Sequence, residues 1–295
     1  MKAGCGRVIV GFHAGSATIS ELSSTYPLKL LSSRNPRPDV AVVYLLSYGG
    51  GLVAGDIVSL SASVQSHATL VFLTQGSTKV FKQRPARPLH NPDLPTRQSL
   101  TCTLAGPSSL LLLLPDPVTC FANASYTQCQ SFHLAPSASL VLLDWLTSGR
   151  SSTGEAWDFA RYYSSNQIFI DGKLIAHDTV LLDHTQSNPG GHLPARTLKD
   201  RLAPYSCYAT LILIGDRAKP ILDGLKERYA KISVFQRREP ESLIWSLSPL
   251  SGNEKDGWVA RVAAEDTEAV RSWLGDALSS IENVVGTDVH RRLFS

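Results

Sequence analysis

Along the first two thirds of the chain, hydrophobic and polar residues alternate in short runs. In Asp56–Val64, "DIVSLSASV", Val58, Leu60, Ala62 and Val64 fall on one side, with Ser59, Ser61 and Ser63 on the other. A repeat of two puts every second side chain on one face of a pleated strand, so this run predicts a half-buried strand. "ATLVFLTQ", "KVFK", "SLTCTLA", "SLLLLLP", "ASLVLLDWL" and "NQIFIDGKLIAHDTVLLD" read as further strands, each bounded by Gly, Pro, Ser or Asn. The Asp171-Gly172 pair inside the last of these predicts a hairpin.

No convincing helical repeat occurs before about residue 215. "YATLILIG" then reads as a buried strand. Ile221, Leu222, Leu225 and Tyr229 follow at helical spacing, with Asp216 as cap and Pro220 in the first turn. A longer amphipathic helix is predicted from about Thr267 to Val285, ended by Gly286. Residues 83–98 and 184–196 are loops by their Pro, Asn and Gly content. The expectation is a mainly β protein with a few helices, mostly in the C-terminal third. It forms one domain over 1–295, mainly β over 1–204, with a smaller α/β portion at 205–295.

Composition narrows the function. A chain of 295 residues can bury a sizeable core without disulfides. Its net charge of +3, without a basic run, gives no footprint for nucleic acid. Five scattered cysteines without a C-x-x-C pair read as free thiols of a reducing compartment. The apolar run near the N-terminus is too short for a signal peptide, and "LLLLL" at Leu110–Leu114 is too short for a membrane span. The expected location is cytoplasmic.

Candidate chemistry begins with "SYGGGLVAGD", Ser47–Asp56, where four glycines in ten residues suggest a phosphate cradle. A P-loop places Lys and Ser or Thr after its last glycine, whereas here Asp56 follows Gly55. A dinucleotide fingerprint leads into a helix, whereas here a strand follows. The glycines therefore serve a tight strand connection, and Asp56 either caps local N–H groups or carries function. His177, Asp178, Asp183 and His184 are the ligand types of a metal-dependent hydrolase. In one strand, however, His177 and Asp183 face one way, Asp178 and His184 the other. Cys120, Cys129 and His133 lack the second close pair of a zinc site. The stretch Leu143–Phe159, "LDWLTSGRSSTGEAWDF", is either a protein-binding hot spot or a strand–turn–strand element with a buried ion pair.

Several segments together resemble the UreD (UreH) family of urease accessory proteins over nearly the whole chain. They are "PLKLL" near Tyr26–Leu31, the glycine loop Gly49–Asp56 and "LTQGSTKVF" at Leu73–Phe81. "LPDPVTCFANASYTQ" at Leu114–Gln128, "DWLTSGRSSTGEAWDF" and the closing "RRLFS" complete the order. Leu73 and Phe81 replace the family's commoner Thr and Tyr, and the loop at 83–98 is long. The resemblance implies a non-enzymatic scaffold that binds apo-urease with UreF-type and UreG-type partners and assists GTP-dependent nickel delivery. It also implies a superhelical, β-helix-like stack of sheets with an internal passage for nickel and no permanently bound cofactor. Ni²⁺ in transit calls for spaced oxygen ligands that release it, rather than a thiolate or histidine cage. Asp56, Ser77, Thr78, Asp144 and Glu155 match that description within the motifs, with Asp56 and Glu155 foremost. Lys79 either tunes such a carboxylate or is a solvated strand residue.

Overall fold

The computed structural model describes residues 2–33, 37–82, 95–183, 196–232 and 241–294, the side chains of 292–294 excepted. Its strands are β1 (Cys5–His13), β2 (Ser16–Ser24), β3 (Leu28–Ser33), β4 (Val40–Ser47), β5 (Ile57–Val64), β6 (Thr69–Leu73) and β7 (Thr78–Val80). They continue with β8 (Thr96–Leu104), β9 (Leu110–Leu114), β10 (Val118–Cys120), β11 (Ser125–Leu134), β12 (Ser139–Thr147), β13 (Arg161–Ile170) and β14 (Lys173–Asp183). After helix α1 (Leu198–Leu202) come β15 (Cys207–Ile214), α2 (Lys219–Ala230), β16 (Leu243–Pro249) and β17 (Trp258–Ala264). Helices α3 (Thr267–Ala277), α4 (Glu282–Val285) and α5 (Thr287–Phe294) follow.

The fold is mainly β, as expected, and built on two sheets. The first runs β14-β13-β11-β8-β5-β1-β2 and the second β16-β17-β15-β12-β9-β6-β4-β3. From β4 to β13 the longer strands alternate between the sheets, and each lies parallel to its predecessor within its own sheet. Antiparallel strands close the edges: β2 and β14 on the first sheet, β3 and the β15–β17 group on the second.

Burial explains the two hydrophobic patterns. One core lies between the sheets and includes Leu60, Phe72, Leu111, Phe132, Leu140 and Ile168. A second lies between the second sheet and the helices and includes Val71, Leu112, Val141, Leu211, Leu225 and Trp273. The central strands of the second sheet are therefore buried on both faces, and β6, β9 and β12 are almost continuously apolar. In β9, Leu111 and Leu113 enter the first core while Leu110, Leu112 and Leu114 enter the second. The first sheet leaves its outer face to solvent, so β5 alternates, with Ile57, Ser59 and Ser61 exposed.

The predicted helix over Thr267–Val285 is divided. Asp266 caps α3 through an N–H bond from Ala269 at 2.7 Å, but α3 ends at Ala277. A 3-10 turn at Ser279–Ile281 leads into α4, and Gly286 ends it at φ 85°. The apolar face continued through the break, so side-chain spacing did not reveal it. Pro220 sits in the first turn of α2 as expected, while Asp216 begins a preceding 3-10 turn. The short α1 went unforeseen, although Thr197 and Asp200 form a capping box there.

Truncating a side chain packed between the sheets leaves a cavity, whereas truncating an exposed one does not. Leu140→Ala is expected to cost about 2–5 kcal/mol and Leu174→Ala, 47% exposed, less than about 0.5 kcal/mol. Urea unfolding followed by circular dichroism measures both.

Candidate functional site

The glycine loop is a turn between sheets. Gly49, Gly50 and Gly55 have φ of 77°, 75° and 85°, in the region that favours glycine. Gly51 is needed for space, since a Cβ there would lie 2.8 Å from the Lys79 carbonyl oxygen. Leu52 then makes an isolated bridge to Val80. The Asp56 carboxylate accepts from the Val53 N–H at 2.9 Å, which is the capping role. Ser77 is half-buried and Lys79 exposed.

Glu155 holds Arg150 in a two-pronged ion pair that keeps its carboxyl below the usual range. Arg150 also covers the Phe121 ring at 4.1 Å. The ion pair expected to be buried is instead partly open, with the Arg150 side chain 41% exposed. Trp145 and Trp157 of the same segment are buried.

Asp144 lies elsewhere, between the two sheets. Its position in β12 is in phase with Leu140, Leu142 and Leu146, all in the inter-sheet core. Gln128, Ser164 and Asn166 of the first sheet reach it: Gln128 Nε2 donates to Oδ1 at 3.2 Å, Asn166 Nδ2 to Oδ2 at 2.8 Å, and the Ser164 hydroxyl to Oδ2. Tyr126 extends the network, its hydroxyl lying 3.0 Å from Gln98 Oε1 and 3.1 Å from Gln128 Oε1. Burial pushes the Asp144 pKa up; the Ser164 and Asn166 hydrogen bonds pull it back, and nearby Asp178 pushes it up again.

Asp144 and Thr78 line a cavity of about 40 Å³, together with Thr74, Gln98, Asp116, Gln128 and Gln130. The cavity exists because the second sheet is interrupted there. Strand β12 pairs with β9 as far as Leu142 and resumes with β10 at Leu146. Between β9 and β10 lies Pro115-Asp116-Pro117, whose prolines offer no N–H to a ladder. Beside it, Thr74–Ser77 interrupts β6 and β7 at the same level. Asp116 ties the break together, accepting from Thr74 Oγ1 at 3.1 Å and Gly76 N at 2.9 Å. On the helical side it meets Arg271 of α3 at 3.2 Å. A smaller cavity of about 10 Å³ lies there, sharing Pro115, Leu143 and Trp145 with the first.

Of the sequence candidates, the structure thus brings Asp144 and Thr78 to one cavity. Asp56, Ser77 and Glu155 are not among its lining residues. Asp116, Gln98, Gln128, Gln130 and Asn166 were missed. Their signal is a polar residue in phase with the core, as in β11, where Gln128 and Gln130 share a face with buried Tyr126 and Phe132.

The hydrolase ligands do not gather. His177 is exposed and lies 2.9 Å from Ser165 Oγ, whereas Asp178 pairs with Arg261 at 2.6 Å between the sheets. Asp183 ends β14, and His184 lies outside the described residues. Among the described residues, no group of three or more His, Cys, Asp or Glu could hold a metal ion. Cys120 is buried and Cys129 exposed, and His133 bonds Ser131. No helix of the described residues is long and apolar enough to cross a membrane.

The raised pKa of Asp144 has a signed consequence. The folded chain keeps this proton at pH values where the unfolded chain, at about 3.9, has released it. Stability from this group is therefore present at low pH and lost as pH rises through the folded value. Asp144→Asn removes the loss, so its melting temperature relative to the wild type is expected to climb as the pH rises above about 4. Thermal melts across that range in the presence of a chelator measure the difference.

Comparison with known proteins agrees with the motif order. The family described as UreD urease accessory protein matches residues 3–292. A protein of Cryptococcus neoformans var. grubii named urease accessory protein 4 is 38% identical, with 95% of this chain and 91% of that protein covered. Urease accessory protein D of Oryza sativa subsp. indica is 33% identical, with 96% and 94% covered. Urease accessory protein UreD of Sorangium cellulosum is 36% identical, with 99% and 84% covered. With motif order, mainly β architecture and full-length similarity in agreement, the chain belongs to the UreD family of urease accessory proteins.

Proposed function

We propose that this urease accessory protein acts by binding rather than catalysis, joining apo-urease to UreF-type and UreG-type partners. In that assembly it passes nickel, released under GTP-dependent control, towards the urease active site. The observation that carries the reading is the polar cavity at the break in the second sheet, where Asp116 and Asp144 share one lining. Its polar groups are carboxylates, hydroxyls and amides, a donor set that accepts a borderline cation and releases it again.

On the helical side of the cavity Asp116 meets Arg271, and outside its lining Asp178 meets Arg261. Asp144 is close enough to Asp178 to feel its charge. We read the alternation of β4 to β13 between the sheets as a short coil of the β-helix kind. Such a coil holds a row of inward side chains at fixed spacing. The hydrolase alternative loses its basis, because His177 and Asp178 face opposite ways.

The test is co-purification with apo-urease and both accessory partners, followed by activation at limiting nickel. The double variant Asp116→Ala/Asp144→Ala is expected to assemble normally and activate poorly. Asp56→Ala and Glu155→Ala, away from the cavity, are expected to activate like the wild type. Full activation by the double variant would show a passive holder of urease, with nickel travelling by another route.

A further inference from the structure

Four strands end the two sheets, and three of them are guarded against pairing with another chain. Strand β2 carries Glu21 and a register shift against β1, and β14 carries Lys173, Asp178 and Asp183 and a shift against β13. Strand β3 carries Lys29. Charges and bulges on an edge oppose the addition of a further strand. The fourth, β16, has neither. Its seven residues, "LIWSLSP", include no charged side chain and pair with β17 without a shift. Along an antiparallel strand every second residue turns its N–H and C=O away from a given neighbour, so the outer side of β16 offers a row of free main-chain groups. Among the described residues, no strand takes them.

Apolar side chains flank this row on both faces of the sheet. On the helical face Leu243, Trp245 and Leu247 lead into the second core, and the Tyr229 ring of α2 lies 5.2 Å from Trp245 while staying 39% exposed. On the other face Ile244 is 46% exposed, in phase with exposed Ser246 and Ser248. Arg228 of α2 adds a charge. Its guanidinium lies 5.7 Å from the Trp245 ring and 5.5 Å from the Trp273 ring, and its Nη1 has no acceptor among the described residues. The cations around it are matched: Lys226 by Glu254, Lys231 by Glu227 and Arg261 by Asp178. Arg228 meets no carboxylate among the described residues, so the surface beside β16 keeps one uncompensated positive charge.

We propose that β16 is a docking edge for an extended, acidic segment of a partner protein, which adds to the second sheet as a further strand. Main-chain bonds to the outer side of β16 hold it, aliphatic side chains at alternate positions meet Tyr229 and Trp245, and an Asp or Glu meets Arg228. The free main chain selects an extended occupant over a helix. A second copy of this chain fits less well. A two-fold axis through paired β16 strands keeps both helical faces on one side and brings the two Arg228 side chains together, like charge against like. The docking edge stands apart from the delivery reading, since it needs no nickel.

Full-length protein is panned with displayed random linear peptides, with Ile244→Lys as counter-selection, because a lysine there gives β16 the guard of the other edges. The enriched peptides are expected to alternate aliphatic with other residues and to carry Asp or Glu. In hydrogen-exchange NMR with such a synthetic peptide, the alternate β16 amides that exchange quickly in the free chain are expected to become protected. Arg228→Gln is expected to weaken binding by about tenfold, and Leu181→Lys, at a 45% exposed position of β14, to leave it unchanged. Thermal melts check that each variant keeps the fold. Absence of enrichment, equal enrichment on Ile244→Lys, or peptides without acidic residues overturns the proposal. So does protection of every β16 amide in the free chain, which would show that the chain covers its own edge. A concentration-dependent dimer abolished by Ile244→Lys overturns it in favour of a second copy.

Discussion

Burial of the second sheet on both faces is the constraint from which the rest follows. With helices on one side and the first sheet on the other, its backbone groups must find partners within the sheet itself. Parallel pairing of β4, β6, β9 and β12 meets that demand for most of their length. Where Pro115 and Pro117 offer no N–H to the ladder, side chains supply the missing bonds. Asp116 takes the Thr74 hydroxyl and the Gly76 N–H, and the Trp145 indole donates to the Pro115 carbonyl at 2.7 Å. The break is thereby held together by side chains, with a cavity of about 40 Å³ beside it and a smaller one of about 10 Å³ on the helical side.

The same constraint governs Asp144. A carboxylate between two sheets loses its water, and three donors from the facing sheet offset that loss only in part, which leaves its pKa raised. Those donors come from β11 and β13, whose registers set Gln128 beside Ser164 and Gln130 beside Asn166. A core devoted to stability alone would place apolar residues at these positions, as the neighbouring rungs do with Tyr126, Phe132 and Ile168. The polar layer forgoes apolar packing at these positions and gathers a carboxyl group, amides and a hydroxyl in the interior, a pattern that is enriched at functional sites.

Much of this was visible before the fold. The period-two run marked β5, short apolar runs marked β9 and β12, the Asp-Gly pair marked the β13–β14 hairpin, and the family motifs marked the glycine loop, the Pro-Asp-Pro segment and Asp144. The site was legible only in part, because motif membership does not say which way a side chain points. Asp56 and Glu155 stood in strong motifs, yet Asp56 closes a turn and Glu155 holds Arg150. Gln130 and Asn166 stood in ordinary strands, and their phase with the core was the one local sign of their importance.

By itself, then, the sequence determined the elements that depend on neighbouring residues: alternating strands, the Asp-Gly hairpin, capped helices and the chain's family. These follow from side-chain periodicity and turn chemistry within a few positions. Only the tertiary structure decided which carboxylates share a cavity. Asp116 and Asp144 are separated by a full excursion through the other sheet, and Asn166 comes from a later strand still. Their meeting depends on strand order, register and the interruption of one ladder, which are properties of paired strands and not of any single one.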